Sequence, residues 1–114
     1  MVDADILSRR VLSLSEALQR LDRYALTLTA EQLATDALLQ AAIERWLQIA
    51  VEACIDAAYH VVADRGWTPP DSARNAFAML GAHDVIPPAL AARLGRAAGM
   101  RNVLVHDYAT VDRA

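Results

Sequence analysis

Apolar residues step along the first thirty positions in alternating strides of four and three: Leu7, Val11, Leu14, Leu18, Leu21, Ala25 and Leu28. That spacing lines them along one stripe of a long helix starting near Asp3. Arg9, Arg10, Glu16, Arg20, Asp22 and Arg23 fall away from the stripe and are expected on a solvated outer face. Thr29 with Gln32 three residues later has the pattern of a capping box, and Thr35 or Asp36 can cap the next helix, so a short connector is expected here. From Ala37 to about Arg65 nothing breaks the helix; Gly66 and the stiff turn Thr68-Pro69-Pro70 end it. Its apolar face carries Ile43, Trp46 or Leu47, Ala50, Cys54, Ala57 or Ala58, and Val61. Asp71 and Ser72 can cap a third helix to about Leu80 that buries Phe77 and Leu80 and stops at Gly81. After a loop at His83-Asp84-Val85-Ile86, Pro87-Pro88 opens a fourth helix, proline being tolerated where the amide donor has no partner anyway. Gly95 and Gly99 each cost about 1 kcal/mol relative to Ala inside that helix, so they predict close approach of another helix, within or between subunits.

One face of the second helix is less ordinary. Glu44, Gln48, Glu52, Asp56, His60 and Asp64 recur every four residues and form a polar ribbon winding slowly round the helix. Three readings stay open: a solvated ribbon, a metal site built from Glu52, Asp56 and His60, or a wall of a cleft shared with chemistry elsewhere in the chain.

Composition narrows the field. A chain of 114 residues fits one domain, residues 1–114, with 55% hydrophobic and 22% charged residues in the globular range. No apolar run approaches the roughly 18 residues of a membrane span. The acidic start Met1-Val2-Asp3-Ala4-Asp5 does not read as a signal peptide. A lone Cys54 in an aliphatic run is expected to pack as a small hydrophobe, in keeping with a reducing cytoplasm. At net charge −3 no global basic field announces nucleic acid, so any RNA contact must be local. Charge is indeed divided: Arg93, Arg96, Arg101 and Arg113 near the C-terminus face only Asp107 and Asp112, whereas Asp36 to Asp64 holds Asp36, Glu44, Glu52, Asp56 and Asp64 against Arg45.

The densest chemistry is Arg101-Asn102-Val103-Leu104-Val105-His106-Asp107-Tyr108, which gathers a fixed cation, a titratable base and a nucleophilic hydroxyl. Its spacing, an arginine, four residues, a histidine, one residue, a tyrosine, resembles the signature of the HepT-like toxins, a branch of the HEPN superfamily of small helical RNA-cleaving domains. The resemblance extends to the long first helix, the run Ala42 to Asp56, the turn Arg65 to Pro70 and the segment Met100 to Tyr108, nearly the whole chain. It implies an all-α, four-to-five-helix up-down bundle of HEPN type. It also implies a homodimer whose paired motifs line one groove, with Glu52 or Asp56 approaching the motif arginine. The partner it implies is a minimal nucleotidyltransferase antitoxin, as in type VII toxin–antitoxin systems, that adenylylates Tyr108.

The residues support such chemistry on their own terms. RNA carries its own nucleophile, the 2′-hydroxyl, so a cleaving site needs proton movers and charge stabilisers but no metal or cofactor. His106 can serve as base or acid, histidine's ordinary pKa being about 6.5. Arg101 can grip a phosphate with two donors, and Asn102, four residues before His106, can orient the imidazole or a phosphate oxygen. In an unbroken helix His106 would point about 140° away from Arg101, so convergence is easier if the helix ends near His106 or if two copies meet across a twofold axis. Tyr108 is a poor base near neutrality but a good acceptor of a nucleotidyl group. An arginine and a histidine at a helix end also merely complement the helix dipole, and a nearby tyrosine commonly packs. The sequence thus predicts a metal-independent endoribonuclease acting on RNA, with tRNA among the candidate substrates. The alternative is a non-catalytic nucleotide-binding or substrate-positioning partner of a separate nucleotidyltransferase.

Overall fold

The computed structural model describes residues 4–102, and these form five helices with no strand among them: α1 (Ala4–Ala25), α2 (Ala30–Thr35), α3 (Ala37–Asp64), α4 (Ala73–Ala82) and α5 (Pro88–Asn102). Local signals set most boundaries. The Thr29 hydroxyl accepts from the Gln32 amide at 3.0 Å while Gln32 Oε1 accepts from the Thr29 amide at 2.9 Å, a reciprocal capping box. It starts a six-residue helix, α2, where the sequence pattern suggests a plain connector. Asp36 caps α3 through Leu39 N–H, and Ser72 caps α4 through Asn75 N–H. Gly66, at φ 70°, takes the left-handed conformation that ends α3.

Helix α3, at 28 residues, is about 42 Å long and sets the long axis of a molecule measuring 47 × 28 × 24 Å. It takes α1 on one side and α4 with α5 on the other. The second side is the main core: Val51, Ile55, Ala58 and Val62 of α3 meet Ala76, Phe77 and Leu80 of α4 and Ala98 of α5. Cys54, Val61 and Leu94 pack around this cluster. Gly81 does not stop α4 as the sequence suggests; it lies buried inside the helix at its crossing with α5. A Cβ there would stand 2.8 Å from the Ala91 side chain, so the close approach excludes any larger residue without a shift. Gly95 is likewise buried, against the Arg74 side chain, whereas a Cβ on Gly99 would meet nothing within 4 Å.

Helix α1 departs from the expected orientation. The buried residue on it is Ala17, 1% exposed, while Val11 and Leu18 of the expected core stripe are 54% and 46% exposed. Tyr24 stacks on Trp46 of α3, with ring centroids 5.8 Å apart. The helix is therefore rolled about its axis so that a small residue enters the seam, and half of its apolar stripe, with Leu12 beside it, faces outward.

Candidate active site

Two turns of the α3 ribbon do the work of bringing other helices' arginines together. Glu52 and Asp56 are one turn apart on the same face. At the end of α5, Arg101 places Nη1 3.2 Å from Glu52 Oε1. From α1, Arg10 places Nε 2.7 Å from Asp56 Oδ2. Glu52 therefore fulfils the expectation that an acidic residue of an earlier helix approaches the motif arginine, while Asp56 is engaged by a different arginine. Arg10 is accordingly not a purely solvated residue of the outer face.

The Arg101 side chain is 18% exposed, and its Nε is buried with no hydrogen-bond partner among the described residues. Buried donors are nearly always satisfied in native proteins, so an unpaired guanidinium donor marks a place where an anion or acceptor is to be received. Glu52 neutralises part of the cation and fixes its direction, leaving the planar donor array pre-aimed. Asn102 is exposed at the last described turn. His106, Asp107 and Tyr108 lie outside the described residues, so their placement relative to Arg101 is not part of this geometry.

A cavity of about 170 Å³ lies in the α1–α3 seam, lined by Arg10, Ser13, Arg45, Ile49, Glu52 and Asp56 among others. It adjoins the Arg101 contact through Glu52. Larger cavities lie elsewhere. One of about 520 Å³ sits between α4 and α5, rimmed by Arg74 and Arg96, and holds none of the candidate residues. We give the smaller cavity the greater weight because it shares a carboxylate with the arginine. Glu52, Asp56 and His60 do not gather into a metal-holding group: among the described residues no three histidine, cysteine or acidic side chains do. His83, expected in a solvated loop, stacks on Trp67 at 3.8 Å between centroids. Burial raises the Cys54 thiol above its ordinary value, which leaves it a poor nucleophile.

The sequence reading missed Arg10 and Arg45. A signal did exist: an antiparallel hairpin folded about the Thr29–Asp36 corner brings residues near 10 level with residues near 56, and Arg10 is a cation at that level facing an acid.

A family model described as ribonuclease HepT-like matches residues 14–114. The chain belongs to the HepT-like ribonuclease family. Within the family, the mRNA nuclease HepT of Shewanella oneidensis is 30% identical over 105 residues, spanning 91% of this chain and 77% of that one. The tRNA nuclease HepT of Aphanizomenon flos-aquae is 33% identical over 69 residues, 60% of this chain and 47% of that one. Among solved structures, the tri-AMPylated Shewanella oneidensis HEPN toxin in complex with MNT antitoxin matches with a TM-score of 0.81 at 29% identity, covering 95% of this chain and 80% of that one. A toxin–antitoxin complex with AMP-PNP matches with the same TM-score at 28% identity and the same coverage. The HepT-like assignment bears out the all-helical HEPN fold and the ribonuclease class read from the Arg101 to Tyr108 stretch.

Proposed function

We propose that this HepT-like chain is the toxin of a type VII toxin–antitoxin pair, a metal-independent endoribonuclease that works as a homodimer in the cytoplasm. The observation that carries the reading is the half-buried Arg101, held by Glu52, with an unpaired donor. In the proposed reaction His106 takes the proton of the 2′-hydroxyl. The freed oxygen attacks phosphorus, the bond to the 5′-oxygen breaks, and that oxygen leaves with a proton from the second subunit's histidine. The products are a 2′,3′-cyclic phosphate and a 5′-hydroxyl end. Arg101 stabilises the charge that builds on the phosphoryl oxygens, and Asn102 steadies the imidazole or a phosphate oxygen. The outward-facing apolar flank of α1 supports an assembly, because contiguous exposed apolar surface is what a partner subunit covers. No helix among the described residues is long and apolar enough to cross a membrane.

The solved relative's AMPylated state in complex with MNT antitoxin supports a matching switch here. The Tyr108 oxygen attacks the α-phosphorus of ATP, pyrophosphate leaves, and the resulting phosphodiester lays negative charge beside the Arg101 site, where RNA phosphate would bind. The printed names of the relatives favour this over a non-catalytic partner of a nucleotidyltransferase.

Purified protein is incubated with total tRNA, and separately with mRNA, in excess EDTA, with His106→Ala alongside. Cleavage confined to the unsubstituted protein is expected; none, or cleavage that survives the substitution, overturns the nuclease reading. Addition of the nucleotidyltransferase, ATP and magnesium is expected to raise the mass by adenylyl units on Tyr108, and an unchanged mass removes the switch.

A further inference from the structure

We propose that the α1–α3 cavity is a base-reading pocket, which receives one unstacked nucleobase bearing an exocyclic amine from the RNA strand whose phosphate lies on Arg101. The inference rests on the ribonuclease reading and adds to it a sequence preference.

Its lining selects the ligand class. Two carboxylates, Glu52 and Asp56, repel a phosphate at this point, and two guanidinium groups, Arg10 and Arg45, repel a metal ion. Ile49 supplies an apolar wall and Ser13 a hydroxyl, which together suit a neutral, flat molecule carrying donors and acceptors on its edge. At about 170 Å³ the cavity is well below the roughly 300–1,000 Å³ of ordinary small-molecule sites. A heterocycle fits it better than a whole nucleotide.

Valences remain for such a ligand. Arg10 meets Asp56 through Nε and Oδ2, so Asp56 Oδ1 and the terminal amino groups of Arg10 can still bond to an incoming edge. Glu52 meets Arg101 through Oε1 alone, which leaves Oε2 on the cavity side of the same side chain that holds the phosphate-binding arginine. The two ion pairs stand one helical turn apart on α3, about 6 Å along the axis. That places a base and a neighbouring phosphate of one strand within simultaneous reach.

The direction of the preference follows from the carboxylates, which only accept. Adenine, cytosine and guanine each donate from an exocyclic amine. Uracil has none, and its carbonyl oxygens would meet negative charge. Recognition of splayed single-stranded bases on their hydrogen-bonding edges is the ordinary way RNA sequence is read.

The test is a set of short single-stranded RNAs, identical except for one base at each position flanking the cut, assayed by kcat/KM. The expected result is one position where uracil is disfavoured by roughly tenfold to a hundredfold against amine-bearing bases. Asp56→Asn replaces an acceptor oxygen with a donor and is expected to collapse that ratio. Arg45→Gln, on an exposed side chain, is expected to lower it with the fold intact by circular dichroism. Equal rates for all four bases at every position overturn the pocket, as does a ratio unchanged in both variants. Affinity of the same RNAs for His106→Ala, read by fluorescence anisotropy, separates the two claims. If the unsubstituted protein cuts nothing yet binding disfavours uracil, the nuclease reading fails and the pocket stands. If binding shows no base preference, the pocket falls.

Discussion

The two seams on α3 are built to different rules. On one side, α4 and α5 close with hardly any side chain between them: Gly81 lies against Ala91, and Phe77, 1% exposed, fills the space where all three helices meet. On the other side, α1 is joined to α3 by the Tyr24–Trp46 stack, the small Ala17 and the Arg10–Asp56 ion pair, and a cavity remains between them. The difference teaches that stability and chemistry are divided across the long helix. The tight seam contributes burial and fixes where α5 ends. The loose seam keeps the charged groups, exposed enough that their pairing contributes little to stability.

Phe77→Ala should break the tight seam outright, costing about 3–5 kcal/mol in denaturant unfolding. A loss under about 1 kcal/mol would mean that the core lies elsewhere. Arg101→Ala should do the reverse, lowering kcat by roughly a hundredfold to a thousandfold while unfolding free energy moves by about 1 kcal/mol or less. Equal damage to both would erase the contrast. Gly81→Ala sharpens it further: overpacking at the crossing should cost about 1–3 kcal/mol, with kcat falling only as far as the displaced end of α5 carries Arg101 with it. The smallest effect is expected from Cys54. Its folded pKa lies above the unfolded one, so the stability it contributes is present below the ordinary thiol range and is lost as pH rises through the folded value. Urea titrations across the alkaline range should show this loss in the unsubstituted protein and not in Cys54→Ala.

Much of this architecture was legible because its signals are local. The Thr29–Gln32 box, the Asp36 and Ser72 caps, Gly66 and the Pro87-Pro88 start each act within a few residues, and all stand where the pattern puts them. The contact of Glu52 with Arg101 was expected from the family resemblance and the ribbon spacing, which left Asp56 an equal contender. What could not be read was azimuth. An apolar stripe on α1 says that some face is buried but not that Ala17 will enter the seam and Val11 turn out, since that depends on the partner helix's shape. Gly81 illustrates the same gap: a glycine near a helix end signals termination locally, and only the neighbouring helix shows that its missing side chain is needed for contact.

Each seam also carries its own optical marker. Trp46 sits against Tyr24 in the loose seam, and Trp67 sits under His83 where the α3–α4 and α4–α5 loops meet. With no third indole in the chain, replacing either by phenylalanine leaves fluorescence that comes from one half alone. Unfolding or ligand arrival can then be followed separately in the two halves without attaching a dye.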